Sequence, residues 1–247
     1  MGRYFIEVAY NGKNYAGFQI QDNAHTIQSE VEKALEIFFK QKFNLTGSSR
    51  TDAGVHALQN FFHVDSDIEI NHRKIYNINA ILPSDIVIKN ITQVAAEAHC
   101  RFDAVYRYYK YHIYQFKNPF IDDRAFYFPF TLDFELLKQA ASIIPQYSDF
   151  TSFSKRNTQV KTFNCQILKS EWLKEGDCWA YHVKANRFLR GMVRGLVGTM
   201  LQVGRGKLNF EDFKAVIEAK DCSKADFAVP GHGLFLIEVG FQNSKMD

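Results

Sequence analysis

The chain lacks the marks of several protein classes. No apolar run in its 247 residues approaches the length of a membrane span. Met1-Gly2-Arg3-Tyr4-Phe5 passes straight into strand-like sequence, with no apolar signal-peptide core. Cysteine is scarce: Cys100, Cys165, Cys178 and Cys222 show neither pairing nor metal-ligand spacing, so they read as free thiols of a reducing cytoplasm. An excess of one charge is also missing. Lys+Arg number 30 against 27 Asp+Glu, a net charge of +3, so composition alone does not indicate nucleic acid. An RNA partner would need the cations gathered on one face. No evident repeat relates the two halves. What is abundant is apolar sequence, at 46% hydrophobic residues, which supplies a core and excludes disorder. Aromatics reach 15%, with 23 Phe and 12 Tyr; most must be core, and a few are available to stack on bases. The length suits one large or two moderate domains.

Against that background one polar stretch stands out, Thr46 to Ala57. Apolar segments flank it, Phe43 to Leu45 before and Leu58 to Val64 after. Gly47 and Gly54 let it turn sharply and approach a ligand closely. It carries a cation, a hydroxyl, a carboxylate and an imidazole, in Arg50, Thr51, Asp52 and His56. Two readings stand: a surface loop with an Asx-type turn at Asp52, or a carboxylate nucleophile or base beside an anion-binding arginine. One Asp and one His do not make a metal-ligand set.

Periodicity predicts a strand over Arg3–Tyr10, a turn at Asn11-Gly12, and a helix capped by Thr26 that buries Ile27, Val31, Ala34, Leu35 and Phe38. A strand over Leu58–Val64 follows, with His63 as an ordinary partly buried side chain. A short helix ends at Pro83, Asp85 is expected to cap the turn, and a strand runs over Ile86–Val94. In the tyrosine-rich strand after Ala104, alternation puts Arg107, Tyr109, Tyr111 and Ile113 on one face. A helix with Phe134, Leu137, Ala141 and Ile144 on one face comes next. Antiparallel strands over Thr162–Trp172 and Cys178–Lys184 precede a helix capped by Asn186. That helix would bury Phe188, Leu189, Met192, Leu196, Met200 and Val203 and gather Arg187, Arg190 and Arg194 on its other side. Interior glycine costs roughly 1 kcal/mol relative to alanine, so Gly191 and Gly198 suggest that something approaches this face closely. A further helix spans Phe210–Ala219, and the last strand follows Gly233.

Several ordered segments resemble one family. Arg-Thr-Asp-Ala-Gly-Val-His-Ala (Arg50 to Ala57) is similar to the signature of the tRNA pseudouridine synthase A family. So are Tyr15 to Gln21, Asn79 to Ile86, the His-x-Arg-Phe segment from His99 with the Arg-x-Tyr-x-Tyr run from Arg107, the arginine-glycine segment from Phe188, and Ala228 to Leu236. Ser49 stands where the family has glycine, Phe18 where it has tryptophan, and Phe235 where tyrosine is commoner.

The resemblance covers about Arg3 to Phe241. It implies an α+β fold of two similar lobes sharing a mainly antiparallel sheet flanked by helices, with a catalytic cleft between them. The N-terminal lobe would span 1–104 and the C-terminal lobe 105–247. Asp52 would be the catalytic aspartate, Arg194 its partner, and Tyr109 the ring against the target uracil. Arg50 would help displace the base and Leu234 would make an apolar contact to it. Arg101 and His99, in the segment before the tyrosine strand, and Lys155, Arg156 and Lys161, in a basic loop, would contact tRNA. The implied activity converts uridine to pseudouridine at positions 38 to 40 of the anticodon stem-loop, in a cytoplasmic homodimer. No cofactor or metal is required for that isomerisation. Two rival classes remain: an RNA-binding module, which would have no need of Asp52, and an aspartate-dependent hydrolase, which would act without tRNA.

Overall fold

The computed structural model describes residues 1–156 and 160–242; Asn157, Thr158 and Gln159 of the basic loop lie outside the described residues. In chain order the elements are β1 (Gly2–Tyr10), α1 (Ile27–Phe39), β2 (Thr46–Gly47), β3 (His56–Ser66), α2 (Ile75–Asn79), β4 (Ile86–Val94), β5 (Ala104–Tyr114), β6 (Phe126–Tyr127), α3 (Phe134–Ile143), β7 (Ile167–Glu175), β8 (Cys178–Ala185), α4 (Met192–Gly204), α5 (Phe210–Glu218) and β9 (Leu234–Phe241). The chain is mixed α and β, with mainly antiparallel strand pairing flanked by helices. Among the described residues no helix is long and apolar enough to cross a membrane.

Two compact units divide the chain. Met1–Tyr106 and the described residues from Phe235 onward form one; Arg107–Leu234 form the other. In the first unit the strand order is β4-β1-β3-β9. β1 pairs antiparallel with both neighbours, and β3 pairs parallel with β9 through His56↔Phe235 and Ala57↔Leu236. Thr26 caps α1 through a reciprocal box with Ser29, which satisfies amides that the first turn leaves open. The apolar face of α1 buries Ile27, Val31, Ala34 and Leu35 as the spacing requires, while Phe38 is half-buried. Asp85 does not cap a helix. Its carboxylate accepts the Tyr15 hydroxyl at 2.5 Å and its carbonyl accepts the Asn11 amide at 2.9 Å.

In the second unit the order is β5-β8-β7, antiparallel throughout, with β6 parallel to β5 at its end. α3 packs against β7 and against α4. Tyr109, Tyr111 and Ile113 share one face of β5, all buried, opposite Val183, Tyr181 and Trp179 of β8. The strand expected from Thr162 starts only at Ile167.

α4 also starts later than the apolar spacing predicts. Gly191 sits at φ +75, in the left-handed region, and forms the N-cap. That conformation ends any helical run from Asn186, whose side chain instead accepts the Gln166 amide at 2.9 Å. Arg187 and Arg190 therefore lie outside the helix, and Arg194 is the one of the three that α4 carries.

Candidate active site

The Arg50–Asp52 loop is built from below. β2 pairs with β3 at Thr46↔His63 and Gly47↔Phe62, and the Ser48 amide donates to Phe61 O at 2.8 Å. Gly47 is required because a Cβ there would lie 2.5 Å from the Phe18 ring. Phe18 is itself stacked on Phe62 at 4.4 Å, so phenylalanine keeps the packing role expected of an aromatic at that position. Beneath the loop is a polar network closed to water. Asn60, fully buried, donates from Nδ2 to Ser49 O at 2.9 Å and to the Tyr10 hydroxyl at 3.2 Å. The Tyr10 and Thr51 hydroxyls are 2.8 Å apart. Either hydroxyl can donate in that contact. Thr51 is thus buried and tied down, also through Phe18 N to Thr51 O at 3.1 Å. Its neighbours turn outward: Arg50 is exposed and Asp52 half-buried.

Gly54, at φ +76, closes the turn, with Val55 N donating to Asp52 O at 3.2 Å. His56 is 2% exposed and serves the frame. Its Nδ1 accepts the Gly12 amide at 3.1 Å, and its ring stacks on Phe235 at 4.5 Å. Both contacts seat this imidazole in the frame of the loop.

His99 and Arg101 share a turn in the same unit. His99 is half-buried and Arg101 exposed. The intervening Cys100 is buried, and its Sγ donates to Thr46 O at 3.2 Å, which ties the turn to the strand that opens into the loop. His63, His99 and Cys100 form the one group among the described residues whose ligand atoms could converge on a metal ion, within 4.8 Å of one another. Those atoms already have partners. His63 Nδ1 lies 3.2 Å from Cys100 Sγ, and His99 Nδ1 accepts the Arg101 amide at 3.1 Å. An ion on either nitrogen of His99 would need that amide contact to break or Nδ1 to become a donor facing it. Burial pushes the His63 imidazole down to about 4 and lowers His99 as well.

In the second unit Tyr109 is buried, its ring edge-on to Phe188 at 5.0 Å. Arg194, half-buried on α4, donates from Nε to Val229 O at 2.7 Å. That contact depends on close approach of the segment 226–229 to the helix. A Cβ on Gly198 would lie 2.1 Å from Asp226 O, and one on Gly195 2.7 Å from the Phe227 ring. Asp226 is held twice more, by its amide to Thr199 Oγ1 at 3.0 Å and by Gln202 Nε2 to its carboxylate at 2.7 Å. Tyr111 continues the line by donating its hydroxyl to Pro230 O at 2.8 Å, and Leu234 follows, buried. Lys155 lies along Gly191, where a Cβ would be 3.0 Å from its side chain, and its amide donates to Arg190 O at 3.0 Å. Arg156 and Lys161 are both exposed.

Of the expected site residues, Arg50, Asp52, His99 and Arg101 lie in the first unit, and Tyr109, Lys155, Arg194 and Leu234 in the second. The sequence did not disclose Tyr10, Asn60, Thr199, Gln202 or Asp226. Asn60 is a polar residue inside an apolar strand, and that was the available signal.

The family described as tRNA pseudouridine synthase matches residues 6–106 and 147–242. A protein of Parabacteroides distasonis named tRNA pseudouridine synthase A is 47% identical over 243 residues, covering 98% of this chain and 96% of its own. The protein of that name from Porphyromonas gingivalis is 43% identical, covering 97% of each chain. One from Staphylococcus aureus is 35% identical, covering 99% of this chain and 92% of its own.

Proposed function

The chain belongs to the tRNA pseudouridine synthase family, and from that premise we propose that it isomerises uridine to pseudouridine at positions 38, 39 and 40 in the anticodon stem-loop of tRNA. The reaction is an intramolecular transfer. The bond between uracil N1 and the sugar C1′ breaks, the ring turns, and C5 bonds to C1′. The C5 proton leaves and N1 gains one, so atoms and electrons balance without an oxidant or a hydrolytic water.

Asp52 acts as the ionised carboxylate. Three uses of it, attack on the sugar, addition to the ring and removal of the C5 proton, all need the charged form. A guanidinium partner favours that charged form. Arg194 takes that part. Tyr109 offers a ring face to a base that has lost its stacking neighbours, and Leu234 adds an apolar contact. Arg50 fills the space the base vacates, while Arg101, Lys155, Arg156 and Lys161 meet phosphates, with His99 beside Arg101. We place the enzyme in the cytoplasm as a homodimer of 28.6 kDa chains; light scattering of the purified protein should return twice that mass.

The observation that most supports this reading is the build of the loop. A buried network holds Thr51 from below, so the side chains on either side, a cation and a carboxylate, are presented outward without loop freedom. Pure RNA binding gives no use for a carboxylate so placed among phosphates. The test is to incubate unmodified tRNA with the protein and map pseudouridine by carbodiimide-blocked primer extension. Stops one nucleotide 3′ of positions 38, 39 or 40 are expected. Stops elsewhere, or none in tRNAs carrying uridine there, would reject the assignment.

A further inference from the structure

In the first unit a column of rings runs from the core to the surface. Phe5, 3% exposed, lies 6.4 Å from the His63 ring. His63 stands edge-on to His99 at 4.5 Å, and His99 lies 4.2 Å from Phe102 at an interplanar angle of 37°. The column ends on Phe102, which is 74% exposed.

A single exposed phenylalanine on a loose loop would need no explanation, but this turn is held at every step. His99 Nδ1 accepts the amides of Arg101 at 3.1 Å and Phe102 at 3.4 Å. The His99 amide donates to the Asp103 carboxylate at 2.9 Å, and the Asp103 amide donates back to His99 O at 3.0 Å. Cys100, with no exposed surface, anchors the turn to Thr46 O. The turn thus fixes a largely exposed aromatic ring against an imidazole. The Arg101 guanidinium lies 5.7 Å from its centroid.

A fixed ring with a cation beside it matches one kind of ligand well. An unpaired nucleobase offers a flat π-face to the ring, and its phosphate offers charge to the guanidinium. A protein surface would more often bury such a ring among aliphatic side chains, whereas this one stands exposed. The anchor to Thr46 places the turn beside the strand that opens into the Arg50–Asp52 loop.

We propose that Phe102 is a stacking platform for an unpaired base of the tRNA flanking the target uridine, with Arg101 on the adjoining phosphate and His99 as the residue that positions both. This rests on the tRNA reading above and adds a contact to it. Phe102 takes no part in the chemistry. It sets how tightly the loop of the RNA is held.

The test measures binding of an anticodon stem-loop to the full chain by fluorescence anisotropy, for the wild type, Phe102→Ala, Phe102→Leu and Phe102→Trp. Base–aromatic stacking is worth about 1–3 kcal/mol per base, so Phe102→Ala should bind roughly 5- to 150-fold more weakly. Phe102→Leu keeps apolar area and loses the ring, and should behave like the alanine variant. Phe102→Trp should keep wild-type affinity and show fluorescence quenching by the RNA beyond that of the wild type. All should keep the wild-type melting temperature, because the ring is exposed. Wild-type binding matched by Phe102→Ala overturns the platform and leaves the tRNA reading standing. Wild-type affinity in Phe102→Leu shows an apolar contact without stacking and also overturns it. A wild-type protein that does not bind the stem-loop overturns the tRNA reading and the platform together.

Discussion

Gly198→Ala tests how α4 holds Arg194. Within a helix this change ordinarily stabilises by about 1 kcal/mol, because alanine loses less backbone freedom on folding. Here the added Cβ would lie 2.1 Å from Asp226 O and 3.0 Å from Asp226 C. Both are backbone atoms, so no rotamer change relieves the overlap and the segment 226–229 must move away. Overpacking of this kind costs about 1–3 kcal/mol. The displaced segment also strains the Thr199, Gln202 and Arg194 bonds to Asp226 and Val229; at about 1 kcal/mol each, loss of two of them adds about 2 kcal/mol. With the helix gain subtracted, the net loss is about 2–4 kcal/mol. At this chain length 1 kcal/mol shifts Tm by roughly 2–4 °C, so a fall of roughly 4–16 °C is expected in a thermal melt followed by circular dichroism. Gly204→Ala is the comparison. It sits in the same helix, but its closest neighbour is Leu137 Cγ at 2.9 Å, in a side chain able to give. It should cost clearly less. A Gly198→Ala protein as stable as the wild type, or more so, would refute the claim that this glycine exists to admit the segment.

Further outcomes follow from the same geometry. Tyr10→Phe removes the hydroxyl that joins Asn60 to Thr51; loosening the loop by a fraction of an ångström should lower kcat roughly 10- to 100-fold with tRNA affinity near wild type. A pure affinity defect would contradict a positioning role. His63 is held down to about 4 by burial, against about 6.5 in the unfolded chain. The unfolded chain therefore binds more protons between those values. The stability His63 contributes is complete above about pH 6.5 and is lost as pH falls toward 4. Urea midpoints should drop across that window, and His63→Phe should make the drop shallower; an unchanged slope would remove His63 as a cause. Arg194→Ala should lose rate far more than affinity, measured by single-turnover kinetics against tRNA binding.

Much of the frame was legible because it rests on period and punctuation. The burial of Ile27, Val31, Ala34 and Leu35, the cap at Thr26 and the alternation of Tyr109, Tyr111 and Ile113 are all local signals. α4 shows the limit of such signals. Phe188 and Leu189 continue the apolar spacing backward, but the left-handed conformation of Gly191 stops the helix. Glycines in that helix signalled a close approach without naming what approached, and the visitor is the chain's own segment at Asp226 and Phe227. Asn60 was illegible as a loop support because its partners, Ser49 and Tyr10, meet it only through strand pairing. Asp85 has the sequence of a turn cap, yet it accepts from Tyr15, a partner remote in the chain. The resemblance to the tRNA pseudouridine synthases was carried by contiguous motifs, and those survive without knowledge of tertiary contacts.

The central claim is that Asp52 performs the chemistry and RNA capture does not depend on it. Release of tritium from tRNA labelled at uracil C5 tests this directly, with the wild type and Asp52→Asn compared at equal tRNA occupancy. The wild type should release label in step with pseudouridine formation, and Asp52→Asn should bind the tRNA and release essentially none. Equal release by the two proteins would take Asp52 out of the mechanism.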